Sequence, residues 1–170
     1  NRRNIGYLMA YQGKKGVLIS VDDDNFPIKS IPFFKGHIKA IQEQTKTTRI
    51  ESSNGWFNEC ELLTTNNNSK IFARGFPYYA RTKAKIRQNI SSKSRVAINA
   101  GLWKKSPDVD AITHLVNPTL ITGFSKKSII LGKNTWSPVN TQNTSLRMEA
   151  VPAYYFVKMG YPLMGLSIDR

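Results

Sequence analysis

The stretch "KKGVLISVDDDNFP", Lys14 to Pro27, runs an apolar segment straight into three consecutive aspartates. Adjacent carboxylates repel one another and are costly to desolvate, so they are stable when solvated or neutralised by a cation. In an extended segment alternate side chains share a face, which points Asp22 and Asp24 one way and Asp23 the other. Two carboxylates on one face at the end of a strand make an oxygen-rich site for a hard ion such as Mg²⁺ or Mn²⁺, shared with substrate phosphates. The placement favours this chemistry over a solvated acidic turn, because ligands of open α/β sheets bind beyond the carboxyl ends of the strands.

Other routes to chemistry are poorly served. His37 and His114 lie far apart in sequence and Cys60 is the single cysteine, so no zinc-ligand spacing exists. No P-loop, dinucleotide fingerprint or nucleophile-elbow string occurs. The lone thiol excludes an intramolecular disulfide framework and fits a reducing compartment, hence a cytoplasmic expectation. The chain carries 25 Lys and Arg against 11 Asp and Glu, a net charge of +14, which suits anionic partners. The densest basic run, "RTKAKIRQNISSKSR" from Arg81 to Arg95, contains no acidic residue. It reads as a solvated basic face or, in the alternative, as a phosphate-tracking face of a nucleic-acid-binding module; no RNA- or DNA-binding signature accompanies it.

The elements that must position these residues follow from periodicity. At 170 residues and 40% hydrophobic content, one core and one domain are expected, and no apolar run reaches the length of a membrane span. Ile5, Leu8 and Met9 recur at helical spacing ahead of Gly13, predicting a short helix packed on the next strand. "GVLISVDD" reads as a strand buried on both faces of a mixed, mostly parallel sheet flanked by helices. "FFKGHIKAIQEQ" places Ile38 and Ile41 on one face of a second helix. Residues 45–70 read as loops with at most one short strand, "KIFARGFP", "SRVAINAGLW", "TLITG" and "KSIILG" as strands, and "MEAVPAYYFVKMG" as a helix with Pro152 in its first turn. The class is α/β, with function carried by long loops.

Three motifs then occur in order: "NIGYLMAYQGKKGVLISVDDDN", "FARGFPYYAR" from Phe72 to Arg81, and "GLWKKSPDVDAITHLVNP" from Gly101 to Pro118. With the looser "NTQNTSLRMEAVPAYYF", they make the chain resemble the plant-type reversibly glycosylated polypeptides, which include the UDP-arabinopyranose mutases. The resemblance implies a type-A glycosyltransferase-like, Rossmann-like fold, a nucleotide-sugar donor, and Mn²⁺ or Mg²⁺ bridging its diphosphate. By motif match Asp22, Asp23 and Asp24 take the acidic metal site. Arg74 falls on the family's reversibly glycosylated arginine and Arg81 on the second arginine of that motif. Trp103, Asp108, Asp110 and Asn143 take positions lining the sugar pocket.

Chemistry leaves several roles open. A guanidinium binds a diphosphate more readily than it attacks a sugar, since its pKa above about 12 makes it a poor nucleophile. Asp108 and Asp110 suit sugar hydroxyls or, equally, a turn and a helix cap; Trp103 suits sugar stacking or the core. The family begins upstream with a strand and loop and continues past Arg170, so the chain is expected to be its central part, and His114 stands where the family has glutamine. The expectation is a metal-dependent glycosyltransferase using a nucleotide sugar and an unidentified acceptor, with a UDP-sugar mutase as alternative.

Overall fold

A computed structural model describes residues 2–13, 16–44, 46–90 and 93–154, and the backbone of 162–163 and 166–167. The chain opens with helix α1 (Arg2–Gln12) and strand β1 (Val17–Val21), followed by helix α2 (Phe33–Gln42). Strands β2 (Thr48–Ser52), β3 (Leu63–Thr65), β4 (Ile86–Ile90) and β5 (Ile98–Ala100) precede the short helix α3 (Ala111–Val116). Strands β6 (Ile121–Phe124), β7 (Ile129–Leu131) and β8 (Asn143–Arg147) follow, and 3-10 turns cover Glu59–Leu62, Tyr78–Ala80 and Met148–Ala153. A two-stranded pair, Pro162–Leu163 with Leu166–Ser167, lies beyond.

Strand β8 is the centre of the sheet that carries the site. It pairs antiparallel with β1, Val21 opposite Asn143, and with β5, Ala100 opposite Thr144. Covered on both faces, it buries Thr144, Ser145 and Leu146 completely, so its two buried hydroxyls must find partners inside the protein. A second sheet runs β4–β2–β7 and a third pairs β3 with β6. Among the described strands β2 with β7 is the one parallel pair, which corrects the expected mostly parallel sheet. The reason lies in β1: it buries alternate residues, Leu18 and Ser20, and leaves Val21 exposed, the period-2 pattern of a strand packed on one face. A short apolar run does not itself distinguish the two arrangements.

Helix α1 does pack near β1, through a different face from the one expected. Ile5, Leu8 and Met9 are exposed, while Tyr7 is buried against Leu18, Leu146 and Val151, with its hydroxyl 3.0 Å from the Ser20 Oγ. One aromatic residue that fills the groove and satisfies its hydroxyl outweighs three scattered aliphatics. On α2 the buried residues are His37 and Ile41, four apart, and Ile38 is exposed. Residues 70–77, read as a strand, form an irregular segment turning at Arg74–Gly75, where Gly75 takes φ +86°. The expected helix from Met148 is a 3-10 turn as far as Ala153; residues 155–161 lie outside the described residues.

The irregular segment is held by side chains. Cys60, Ile71, Ala73, Val109 and Ile121 form a buried cluster, and the buried Asn58 ties its loops together. Asn58 Nδ2 donates to the Ile71 carbonyl at 2.7 Å, and Oδ1 accepts from the backbone N–H groups of Ala73 at 3.2 Å and Cys60 at 3.3 Å. Replacing Asn58 with Ala leaves these groups unpaired in the core, so Asn58→Ala is expected to lower unfolding free energy by about 2–4 kcal/mol. Urea denaturation measures this, and a loss within error of zero would contradict the role assigned to Asn58.

Candidate functional site

Between the loop after β1, the start of α2 and the segment after β5 lies a cavity of about 720 Å³. Asp24 and Asn25 come from the acidic loop, His37 from α2, Asn99 and Gly101 from β5 and its continuation, Trp103, Lys104 and Lys105 from the next residues, and Asn143 from β8. Apolar side chains, including Phe26, Phe33 and Phe124, supply much of the remaining wall. A mostly apolar cleft with a carboxylate, amides and two lysines along it suits a ligand that is part anion and part polyol.

The polar wall is organised around His37. Its Nε2 lies 2.7 Å from Asn143 Oδ1, and its Nδ1 lies 2.9 Å from Ser145 Oγ and 3.1 Å from Asn99 Nδ2. One proton arrangement satisfies all three: Nε2–H donates to Asn143, and Nδ1 accepts from the Ser145 hydroxyl and the Asn99 amide. The neutral ring is thereby favoured. Burial pushes the His37 pKa down, and the hydrogen bond that Nε2–H donates to Asn143 offsets this in part. Asn143 Nδ2 in turn donates to the Leu102 carbonyl at 2.9 Å, and the Gly101 N–H donates to the Asn143 carbonyl at 2.7 Å. The space is full: a Cβ on Gly101 would fall 2.4 Å from Asn143 Nδ2.

Trp103 lines the same cavity, and its indole N–H is buried without an acceptor among the described residues. A buried unpaired donor costs about 1–3 kcal/mol, so the protein tolerates here a group that a ligand oxygen would satisfy.

The three aspartates separate. Asp22 is ion-paired with Arg3, whose guanidinium also reaches the Thr141 hydroxyl. Asp23 is exposed, and Asp24, bonded at 3.0 Å to Asn25 Nδ2, reaches the cavity. Among the described residues no three His, Cys, Asp or Glu side chains are grouped to hold a metal ion. The donor set therefore does not form an all-protein cage. Of the three aspartates, Asp24 alone lines the cavity.

The remaining residues picked from the motifs form a separate brace. Arg74 Nε and Nη2 reach Asp108 at 3.1 and 3.3 Å, and Asn140 Nδ2 donates to the same carboxylate at 3.1 Å. Arg81 Nη2 reaches Asp110 at 3.2 Å, and its guanidinium stacks over the rings of Phe72 and Tyr78. Asp110 also caps α3, accepting from the Thr113 N–H at 2.9 Å and from its hydroxyl at 2.9 Å. So Asp24, Trp103 and Asn143 meet in the cavity, whereas Arg74, Arg81, Asp108 and Asp110 tie residues 72–81 to residues 108–113. His37, Asn99 and the two lysines were not picked from sequence. The signal for His37 was a histidine four residues before Ile41, in the stripe that faces the sheet.

The family described as "Reversibly glycosylated polypeptide" matches residues 1–162, and the chain belongs to that family. Relatives include UDP-arabinopyranose mutase 1 of Arabidopsis thaliana, 30% identical over 160 residues, which cover 93% of this chain and 40% of that protein. Probable UDP-arabinopyranose mutase 2 of Solanum tuberosum is 31% identical over 160 residues, covering 93% and 39%. UDP-arabinopyranose mutase 1 of Oryza sativa subsp. japonica is 29% identical over the same length, covering 93% and 39%. The chain thus spans about two-fifths of the length of these relatives, which are enzymes by name. No helix among the described residues is long and apolar enough to cross a membrane.

The brace has a pH signature. The Thr113 backbone hydrogen bond is the largest of the effects that hold the Asp110 carboxyl below its usual range, with Thr113 Oγ1 and Arg81 adding to it. A depressed carboxylate stabilises the fold above the unfolded value and loses that contribution as pH falls through the folded one. Asp110→Ala is therefore expected to cost about 1 kcal/mol at neutral pH, as for a lost N-cap. The gap from wild type should close in strong acid; a gap independent of pH, read by thermal unfolding, would contradict it.

Proposed function

We propose that this chain supplies the donor-binding part of a UDP-sugar mutase, with the cavity beside Asp24, Trp103 and Asn143 holding the nucleotide sugar. The observation that carries this reading is the buried, unpaired indole N–H of Trp103 in the wall of a cavity that also presents Asp24, Lys104 and Lys105. Family membership supplies the substrate class, because the relatives are named for UDP-arabinopyranose. A mutase is favoured over transfer to an external acceptor, since that is the activity in the relatives' names. The basic run from Arg81 to Arg95 gives the nucleic-acid alternative less support: Arg81 is engaged by Asp110, and Arg87 alone of the other basic residues lies in the edge strand β4.

The chemistry asked of these residues is electrostatic. When the bond from the sugar anomeric carbon to the diphosphate breaks, the electron pair leaves with UDP, and charge grows on the phosphate oxygens. Lys104 and Lys105 line the same cavity and would meet that charge, with the Trp103 N–H as a further donor. Asn143 has its amide orientation set by His37 and Leu102 and keeps one N–H for a sugar hydroxyl. A divalent ion bound at Asp24 would neutralise the departing diphosphate.

The family description also favours reversible attachment of the sugar to the protein. With Arg74 as acceptor, a C–N bond would form at the anomeric carbon, the guanidinium would lose a proton, and UDP would depart. Arg74 is gripped by Asp108 through two nitrogens, which makes it a better brace or clamp than nucleophile. A donor-dependent pentose mass on the peptide Phe72–Arg81 of the full-length protein would reverse that preference.

Trp103→Phe tests the donor site because it removes one N–H and keeps the ring. Calorimetric titration of full-length protein with UDP-arabinopyranose, with and without Mn²⁺, is expected to show affinity reduced by about five- to a hundredfold. Stability without ligand should be unchanged or raised, since an unpaired donor has gone. Unchanged affinity, or a variant destabilised without ligand, would remove the role. Asp24→Asn should abolish any Mn²⁺ dependence of binding.

A further inference from the structure

The segment Asn99–Leu102, with Phe124, forms a partition rather than a single wall. On its other side lies a second cavity of about 680 Å³, which shares Asn99, Gly101, Leu102 and Phe124 with the first. Its body is apolar, drawn from β5, β7 and the Trp136–Val139 loop, with Trp136 itself 65% exposed. Two kinds of polar group face this interior. Arg95, Lys126 and Lys127 give it three cationic side chains, and Glu59 gives it a carboxyl.

Glu59 sits in the 3-10 turn Glu59–Leu62, beside the buried Cys60, and its Oε2 accepts from Ser137 Oγ at 3.3 Å. The nearby Asp108 carboxylate is already ion-paired with Arg74. Burial, above all, and then the Asp108 charge push the Glu59 carboxyl up to about 7, against the opposing Ser137 hydrogen bond. Near neutral pH a substantial share of this group is thus protonated, and in that form it presents an O–H donor without adding negative charge. The proton is what makes the charges consistent: three cations and a neutral acid favour an anion, and the apolar walls favour one with a hydrophobic body.

We propose that the second cavity is a binding site for a small organic anion with an aromatic or apolar body, its charge met by Arg95, Lys126 and Lys127 and its acceptor oxygen by Glu59, held in place by Ser137. The site stands apart from the donor cavity and does not depend on the reading given to that cavity. The charged group that bears on Glu59 is Asp108, itself paired with Arg74, while the three cations line other parts of the same cavity.

p-Toluenesulfonate is a suitable probe, because it combines an aromatic ring with a charge that stays fixed across the relevant pH range. Titration into the full chain, followed by backbone amide shifts, should perturb residues 98–102, 129–131 and 136–139. Affinity should fall several-fold between about pH 6 and about pH 8 as Glu59 loses its proton. Glu59→Gln, which keeps a neutral donor, should bind with a flat pH profile. The double variant Lys126→Ala with Lys127→Ala, both exposed and outside the fold's core, should bind about tenfold more weakly at every pH. Wild-type affinity independent of pH, a double variant as tight as wild type, or shifts confined to Asp24–Gly36 would each overturn the proposal. Should Glu59→Gln fail to fold, the wild-type profile and the lysine variant decide alone.

Discussion

The architecture around the first cavity depends on one buried imidazole. His37 joins α2 to β8 through Ser145 and Asn143 and to β5 through Asn99, so three elements distant in sequence are fixed by a single neutral ring. Apolar packing alone would hold a helix on a sheet with some freedom to slide. A fully satisfied polar cluster permits one register, because any shift strands a donor or an acceptor in low dielectric. The cost falls on β8, which must carry polar residues through the centre of its sheet. Thr144 meets the same demand by donating to the Asn140 carbonyl.

From that ring the order spreads outward. Asn143 is set by His37, Leu102 and Gly101 are set by Asn143, and Trp103 follows directly in the chain. The second organised region is electrostatic. Arg74–Asp108 and Arg81–Asp110 fasten an irregular segment to the start of α3, and Asn58 fastens its backbone from beneath. A segment without regular secondary structure has no ladder of its own, so its backbone groups depend on such side chains. The aspartates matched to a sugar pocket therefore have full structural occupation as well.

Much of this was legible in local patterns. The apolar run of β1, the strands around residues 121–131, the second helix and the nearness of Asp24 to a ligand-sized cleft all follow from residue type and spacing. Three things did not. The direction of strand pairing is set by partners far along the chain, which an apolar run of five residues cannot encode. The buried face of α1 was chosen by Tyr7, because shape and a satisfied hydroxyl outweighed the count of aliphatic residues. Asp22 and Glu59 find their partners in Arg3 and Ser137, 19 and 78 positions away, so neither pairing could be read from neighbouring letters.

The tight contact at Gly101 carries a consequence for how this sequence can change. No side chain fits there while Asn143 keeps its bonds to His37 and Leu102; Gly101 lies in the partition between the two cavities and Asn143 lines the first. The two positions are therefore one unit of heredity. A lineage that gains a methyl group at 101 must shorten or turn the side chain at 143, and by doing so it frees a ring nitrogen of His37. Drift at position 101 would then reach the proton arrangement of the cavity's polar wall in a single further step.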